Sequence, residues 1–103
     1  MEEENGQENE EKRKNDNVVF VGSKPLVNYV RAVLMQFNKH GASEVIIKSR
    51  GKFISKAVDI TEIVKRTLQD RKVYAKSINL ASESFEVDGR RTNVSTMDVV
   101  LSF

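Results

Sequence analysis

The stretch VVFVGSKPLVNYV, residues 18–30, constrains the fold more than any other part of the chain. Val18, Val19, Phe20 and Val21 form an apolar run of β-branched and aromatic residues, which reads as a buried strand. Pro25 then stands where a helix begins, because the first turn of a helix tolerates a missing N–H. Gly22, Ser23 and Lys24 fill the gap. A strand, a glycine turn and a helix N-terminus together present free backbone N–H groups, a natural seat for an anion. The question for function is whether Gly22-Ser23-Lys24 holds a phosphate.

The same grammar repeats once and then changes. From Pro25 to about Lys39, Leu26, Val30, Val33, Leu34 and Phe37 follow helical spacing, and His40-Gly41 supplies the stop, with glycine in the left-handed cap. Ser43 to Arg50 is β-branched but alternates poorly, so a second, mostly buried strand is expected there. Gly51 makes the turn. A second helix from about Ile54 to Leu68 places Ala57, Val58, Thr61, Val64 and Leu68 on one arc. Ile60 and Ile63 fall off that arc, which suggests a second surface covered by another subunit. Lys72–Val87 and Thr92–Phe103 are strands around Asp88-Gly89, a strong hairpin signal. The order β-α-β-α-β-β calls for an α+β two-layer sandwich, with two helices packed on a mixed four-stranded sheet and a long terminal hairpin.

At 103 residues the chain makes one domain with a modest core. No apolar run approaches the length of a membrane span, and the first residues are acidic, unlike a secretory signal. Zero cysteines excludes disulfides and fits a reducing interior, so a cytoplasmic location is expected. The net charge of +2 hides a division: residues 1–16 hold seven acids against three basic residues, while the rest holds eight acids against fourteen. The leader is expected to be a disordered acidic tail, with the domain at 17–103. That domain is distinctly basic, which favours a polyanionic partner.

Enzyme signatures are missing. GSKP lacks the loop length and second glycine of a P-loop, and no spaced glycine triplet marks a dinucleotide fold. His40 is the one histidine and sits at a helix end, where capping the last carbonyls explains it. Without cysteine there is little from which to build a transition-metal site, so no cofactor is expected. The basic residues say more. Ser23 and Lys24 lie at the start of the first helix, and Arg50 and Lys52 bracket the turn before the second. With parallel neighbouring strands, those turns open at one edge of the sheet. Arg90 and Arg91 sit at the hairpin tip, able to project beyond the core. Two loop clusters and a basic arm would make a platform for a phosphate backbone. Asn28 and Tyr29 point off the first helix's apolar stripe and are candidates for ligand contact. Each basic cluster also has a plainer reading as a solvated turn, hairpin tip or wet helix face.

The stretches NVVFVGSKPLVNYV, SEVIIKSRGKFISKAVDITEIVKR and NVSTMDVV together resemble the Alba family of small archaeal chromatin proteins, from about Asn17 to Phe103. The resemblance implies a homodimer that binds double-stranded DNA, and often RNA, with little sequence preference. It also implies a dimer body on the backbone and hairpins along the minor groove, in a chromosome-associated protein. It carries Lys24, Arg50, Lys52, Lys56, Arg90 and Arg91 over as nucleic-acid contacts, and Ile60, Ile63 and Leu68 as contacts within or between dimers. Many members have two lysines in a row at the first helix, the first being acetylated; here Ser23 replaces it. Members that align dimers along DNA often carry an aromatic where this chain has Leu68. An RNA-binding subunit of a ribonucleoprotein, a module for an acidic protein, and a heterodimer with a paralogue stay open.

Overall fold

In the computed structural model the structure describes residues 17–103, and the acidic leader at 1–16 lies outside the described residues. The elements follow in the order β1 (Val18–Phe20), α1 (Leu26–Asn38), β2 (Glu44–Arg50), α2 (Ile54–Thr67), β3 (Tyr74–Val87) and β4 (Arg90–Ser102). Short 3₁₀ turns at Gly51–Phe53 and Gln69–Arg71 precede and follow α2. The sheet order is β1-β2-β4-β3. The crossover through α1 makes β1 and β2 parallel, with Val19 opposite Ile47, because a helical connection returns the chain in the same direction. β2 then pairs antiparallel with β4, Ile47 opposite Val99, and β4 pairs antiparallel with β3. The sheet is mixed and four-stranded, as expected from the pattern.

Asp88 and Gly89 both take positive φ, +52° and +78°, the backbone that a two-residue hairpin loop requires to match strand twist. β3 ends at Val87 as expected, whereas β4 starts two residues earlier than its apolar pattern indicates, so Arg90 and Arg91 belong to the strand itself. With strands of 14 and 13 residues, the hairpin sets the long axis of a molecule 50 × 28 × 22 Å in extent. A bulge at Lys76, between the Ala75 and Ser77 pairs, interrupts β3 near its start; such irregularities bend a strand and raise its twist.

One face of the sheet carries the core. Val19, Val45, Ile47, Val99 and Leu101 are buried there against Val30, Val33 and Phe37 of α1 and Ala57, Ile60 and Val64 of α2. Among the described residues no helix covers the other face, and two expectations change for that reason. β2 alternates cleanly: Val45, Ile47 and Ser49 are buried, Ile46 and Lys48 are half-buried, and Arg50 is exposed. Phe20, within the apolar run of β1, is 69% exposed because it faces the open side.

The helices correct further details. Pro25 is the N-cap, in an extended conformation, and its carbonyl accepts the Asn28 N–H at 3.0 Å. Gly41 has φ +68°, and Ala42 donates back to the Gln36 carbonyl at 2.9 Å, closing α1 as expected. On α2 the roles of Val58 and Ile60 are exchanged. At about 100° per residue, Ala57, Ile60, Thr61, Val64 and Leu68 share one arc while Val58 falls outside it. Ile60 is fully buried in its own subunit's core and Leu68 nearly so, whereas Val58 is 46% exposed. Ile60 and Leu68 are thus core residues with little or no exposed surface; Ile63 is half-buried at the edge of the same core.

Candidate nucleic-acid interface

The parallel pairing of β1 and β2 brings the turns that follow them to one end of the sheet. The Val21 N–H donates to the Lys48 carbonyl at 2.9 Å, carrying the pairing into the first turn. Tyr29, one step off the apolar stripe of α1, is buried at the side nearest α2, and its hydroxyl accepts the Lys24 N–H at 3.0 Å. A Cβ on Gly22 would lie 3.3 Å from that hydroxyl, so the turn passes close enough to Tyr29 to favour glycine. From α2, the Lys56 ammonium donates to the Gly22 carbonyl at 2.7 Å and to the Lys24 carbonyl. The same ammonium lies 5.2 Å from the Tyr29 ring centre and 5.9 Å from that of Phe53.

Three expectations are revised by this network. Tyr29 does not face a ligand; it is core, with its polar tip on the turn. Lys56 is half-buried and committed to main-chain carbonyls of its own chain, which it ties to α2. The Lys24 N–H is occupied by Tyr29, so what the first turn offers an anion is the exposed Lys24 side chain with the exposed Ser23 hydroxyl beside it.

At the second turn Gly51 takes φ +56°, a left-handed conformation that reverses the chain between β2 and α2. Lys52 is exposed, its ammonium 5.5 Å from the Phe53 ring centre. Arg50, the last residue of β2, reaches across β4 to Glu83 of β3 at 2.9 Å. Behind it on the open face, Lys48 pairs with Asp98 at 2.9 Å. Arg50 is opposite Thr96, so residues 90–95 of β4 continue past the end of β2 where both turns open. At about 3.4 Å per residue that arm overhangs by roughly 20 Å. Arg90 and Arg91 stand exposed on its far part, opposite Val87 and Glu86. The fold thus brings Ser23, Lys24, Arg50, Lys52 and Lys56 to one end, places Arg90 and Arg91 on an arm leaving that end, and leaves Asn28 exposed on α1. Sequence reasoning did not single out Phe20, Lys48 or Glu83 as site residues. The two ion pairs become legible only once the β2–β4–β3 register is known.

This geometry can bind an extended anion. Among the described residues no cluster of three His, Asp or Glu side chains could hold a metal ion.

Comparison with known proteins agrees with that reading. The Alba family model matches residues 17–80. The chain belongs to the Alba family. It is 49% identical over 88 residues to the DNA/RNA-binding protein Alba of Methanococcus maripaludis, covering 84% of this chain and 97% of that one. It is 50% identical to DNA/RNA-binding protein Alba 1 of Archaeoglobus fulgidus, over 84% and 96%. Among solved structures, Alba from Thermoplasma volcanium superposes with a TM-score of 0.75 at 42% identity, over 84% of this chain and 99% of that one. The expected fold and family both hold.

Proposed function

We propose that this Alba chain is a nucleic-acid-binding protein that coats double-stranded DNA as a dimer, with little regard for sequence, and also binds RNA. The observation that carries this reading is the common end of the fold, where two basic turns open beside a projecting basic arm. Lys24 and Lys52 lie on the turns and Arg90 and Arg91 on the arm, all exposed. Phosphate contacts of this kind position a duplex without reading its bases. Neither helix offers a clear major-groove face: the exposed side of α2 mixes Val58, Asp59, Glu62 and Arg66. The two-stranded arm suits a minor groove, where shape governs more than sequence. The protein acts by binding, in the cytoplasm and on the chromosome; no described helix is long and apolar enough to cross a membrane.

Dimerisation is supported by apolar surface that one copy does not cover. Ile78 and Leu80 lie opposite Val99 and Met97, on the helix-bearing face of the sheet. Yet they are 57% and 74% exposed, where their partners are buried. A second copy covering them would place two sets of turns and two arms on one duplex.

The test is fluorescence anisotropy with random-sequence duplex DNA and with RNA across a salt series. If a dimer neutralises about six to eight phosphates, log affinity falls against log salt with a slope of about −5 to −7. A Lys24→Ala, Arg90→Ala double variant should bind more weakly with a shallower slope. Duplex binding with a flat salt dependence would refute the electrostatic platform. Binding to RNA alone would move the protein to a ribonucleoprotein role.

A further inference from the structure

On the open face of the sheet, an aromatic ring and two ion pairs border a recess beside the basic turns. The recess has a volume of about 490 Å³, and its lining includes, beside Val21 and Ser49, the six residues Phe20, Lys48, Arg50, Glu83, Thr96 and Asp98. Register places all six on one face: Phe20 opposite Lys48, Lys48 opposite Asp98, Arg50 opposite Thr96, with Glu83 reached by Arg50. Phe20 presents its ring to solvent on a strand whose neighbours Val19 and Val21 are buried. An exposed aromatic held on a rigid strand costs little conformational freedom when a flat ligand stacks on it.

We propose that this recess receives an unpaired nucleobase, stacked on Phe20, from a single-stranded RNA or DNA segment bound at the adjoining turns. The inference rests on the nucleic-acid reading above and adds a ligand form to it. Charge selects the base over other occupants. Lys48 is paired with Asp98 and Arg50 with Glu83, so the lining is balanced, unlike the turns. A free phosphate would be repelled by the two carboxylates there; an uncharged, polar, planar ring would not be. Carboxylates accept hydrogen bonds from exocyclic amino groups, Lys48 and Arg50 donate to ring nitrogens and carbonyls, and Thr96 does either. Connection to the rest of the strand is also at hand. Phe20 precedes the Gly22–Lys24 turn by two residues and Arg50 leads directly into Gly51, so the sugar-phosphate on either side of the base would run toward the turns that carry Lys24 and Lys52. A base paired within a duplex cannot enter, because its faces are already stacked. The recess therefore favours loops, ends and single strands, as other four-stranded sheets with exposed aromatics do.

Phe20→Ala and Phe20→Trp test this in the full-length protein, with three probes. One is a single strand of roughly ten nucleotides carrying 2-aminopurine, one is the same sequence as a blunt duplex, and the last is sedimentation of the protein alone. Phe20→Ala should weaken single-strand binding by about 5- to 100-fold, the range for one lost stacking partner. It should also abolish the quenching of 2-aminopurine fluorescence and leave duplex affinity unchanged. Phe20→Trp should restore both single-strand signals. Since Phe20 is mostly exposed, its truncation does not empty the core. Equal losses for strand and duplex, or no loss for either, would overturn the proposal while leaving the duplex reading standing. A change in dimer sedimentation without a change in quenching would assign the recess to a second copy of the chain instead. A wild-type protein that binds neither probe would remove both readings.

Discussion

Lys56→Met separates two roles for a basic residue that the family pattern makes a nucleic-acid contact. In the structure its ammonium donates to the carbonyls of Gly22 and Lys24 and lies over Tyr29 and Phe53. Hydrogen bonds from a charged donor contribute about 1.5–3 kcal/mol each when well shielded. Lys56 is only half-buried, so the two together are discounted to about 2 kcal/mol, with about 0.5 kcal/mol more from the rings. Methionine keeps most of the aliphatic stem, so little packing is lost. The expected destabilisation is about 2–3 kcal/mol, or a fall in Tm of about 10–20 °C for a domain of this size. Lys65→Met on the same helix is the control. Lys65 pairs with the exposed Glu62, three residues away, and the loss of that pair should cost less than about 0.5 kcal/mol.

Urea denaturation followed by circular dichroism measures both variants, at one protein concentration because any self-association would couple to stability. The amide resonance of Lys24 should move in Lys56→Met and stay in place in Lys65→Met. Salt titrations provide the counter-test. A lysine on a phosphate contributes about 0.9 to the log–log slope, whereas a lysine that only ties the turn leaves the slope nearly intact while affinity drops. Should Lys56→Met retain wild-type stability and lose slope, the ammonium serves phosphate and the clamp described here is wrong.

Other consequences follow from the same site. Glu83→Gln releases Arg50 from its carboxylate, so duplex affinity at low salt should rise by up to about fivefold, the worth of an exposed ion pair; unchanged affinity would mean Arg50 contacts no phosphate. Gly51→Ala forces a side chain into φ +56° but meets Val94 only at an ordinary 3.6 Å. It should cost about 1–2 kcal/mol in denaturation, through backbone strain, and Gly51→Asn should cost less. At the bulge, the hydrogen bond from Lys76 to Glu44, reinforced by their Coulomb attraction, raises the lysine pKa above its ordinary value. The folded state thus favours protonated Lys76. Its small contribution is present through neutral pH and lost as pH climbs past about 10.4. The stability difference between wild type and Lys76→Met should accordingly shrink on titration to about pH 11; a constant difference would trace to packing.

The β-α-β-α-β-β order and mixed sheet were legible in the sequence because each signal was local. Gly41 and Gly51 mark reversals, Asp88-Gly89 marks the hairpin, and helical spacing marks α1 and α2. What was not legible depended on which neighbour covers a residue. Phe20 has the composition of a buried strand residue, and it is exposed because no other described element packs over that face. Ile60 and Val58 differ by two positions, and a phase error in one helix exchanged core for surface. Tyr29 looked free because it sits one step outside the stripe of α1, and that step is the seam with α2. The basic turns were readable as a pair since parallel β1 and β2 place them together. That Lys56 and the Lys24 N–H are already engaged was not, because their partners lie 32 to 34 residues away along the chain for the lysine and on the next turn for the amide.

Charge composition is therefore a coarse guide to an interface, and the structure refines it by showing which cations are committed. Lys48, Arg50, Lys65 and Lys76 pair with carboxylates, Lys56 with carbonyls, and Arg71 with Asn38 and the face of Phe103. Most of these bonds stitch elements distant in sequence. Lys56 joins α2 to the first turn, Arg50 joins β2 to the arm, and Arg71 joins the end of α2 to α1 and the chain terminus. These charges hold the platform in shape. Lys24, Lys52, Arg90 and Arg91 have no ion-pair partner among the described residues and lie on the two turns and the arm. A polyanion that replaces water around those four breaks no internal bond, whereas one that claims Arg50 must first displace Glu83. Affinity should thus be carried mainly by the uncommitted cations. The committed ones act by keeping the two turns and the arm at fixed spacing, so that counterion release from one duplex can engage all of them at once.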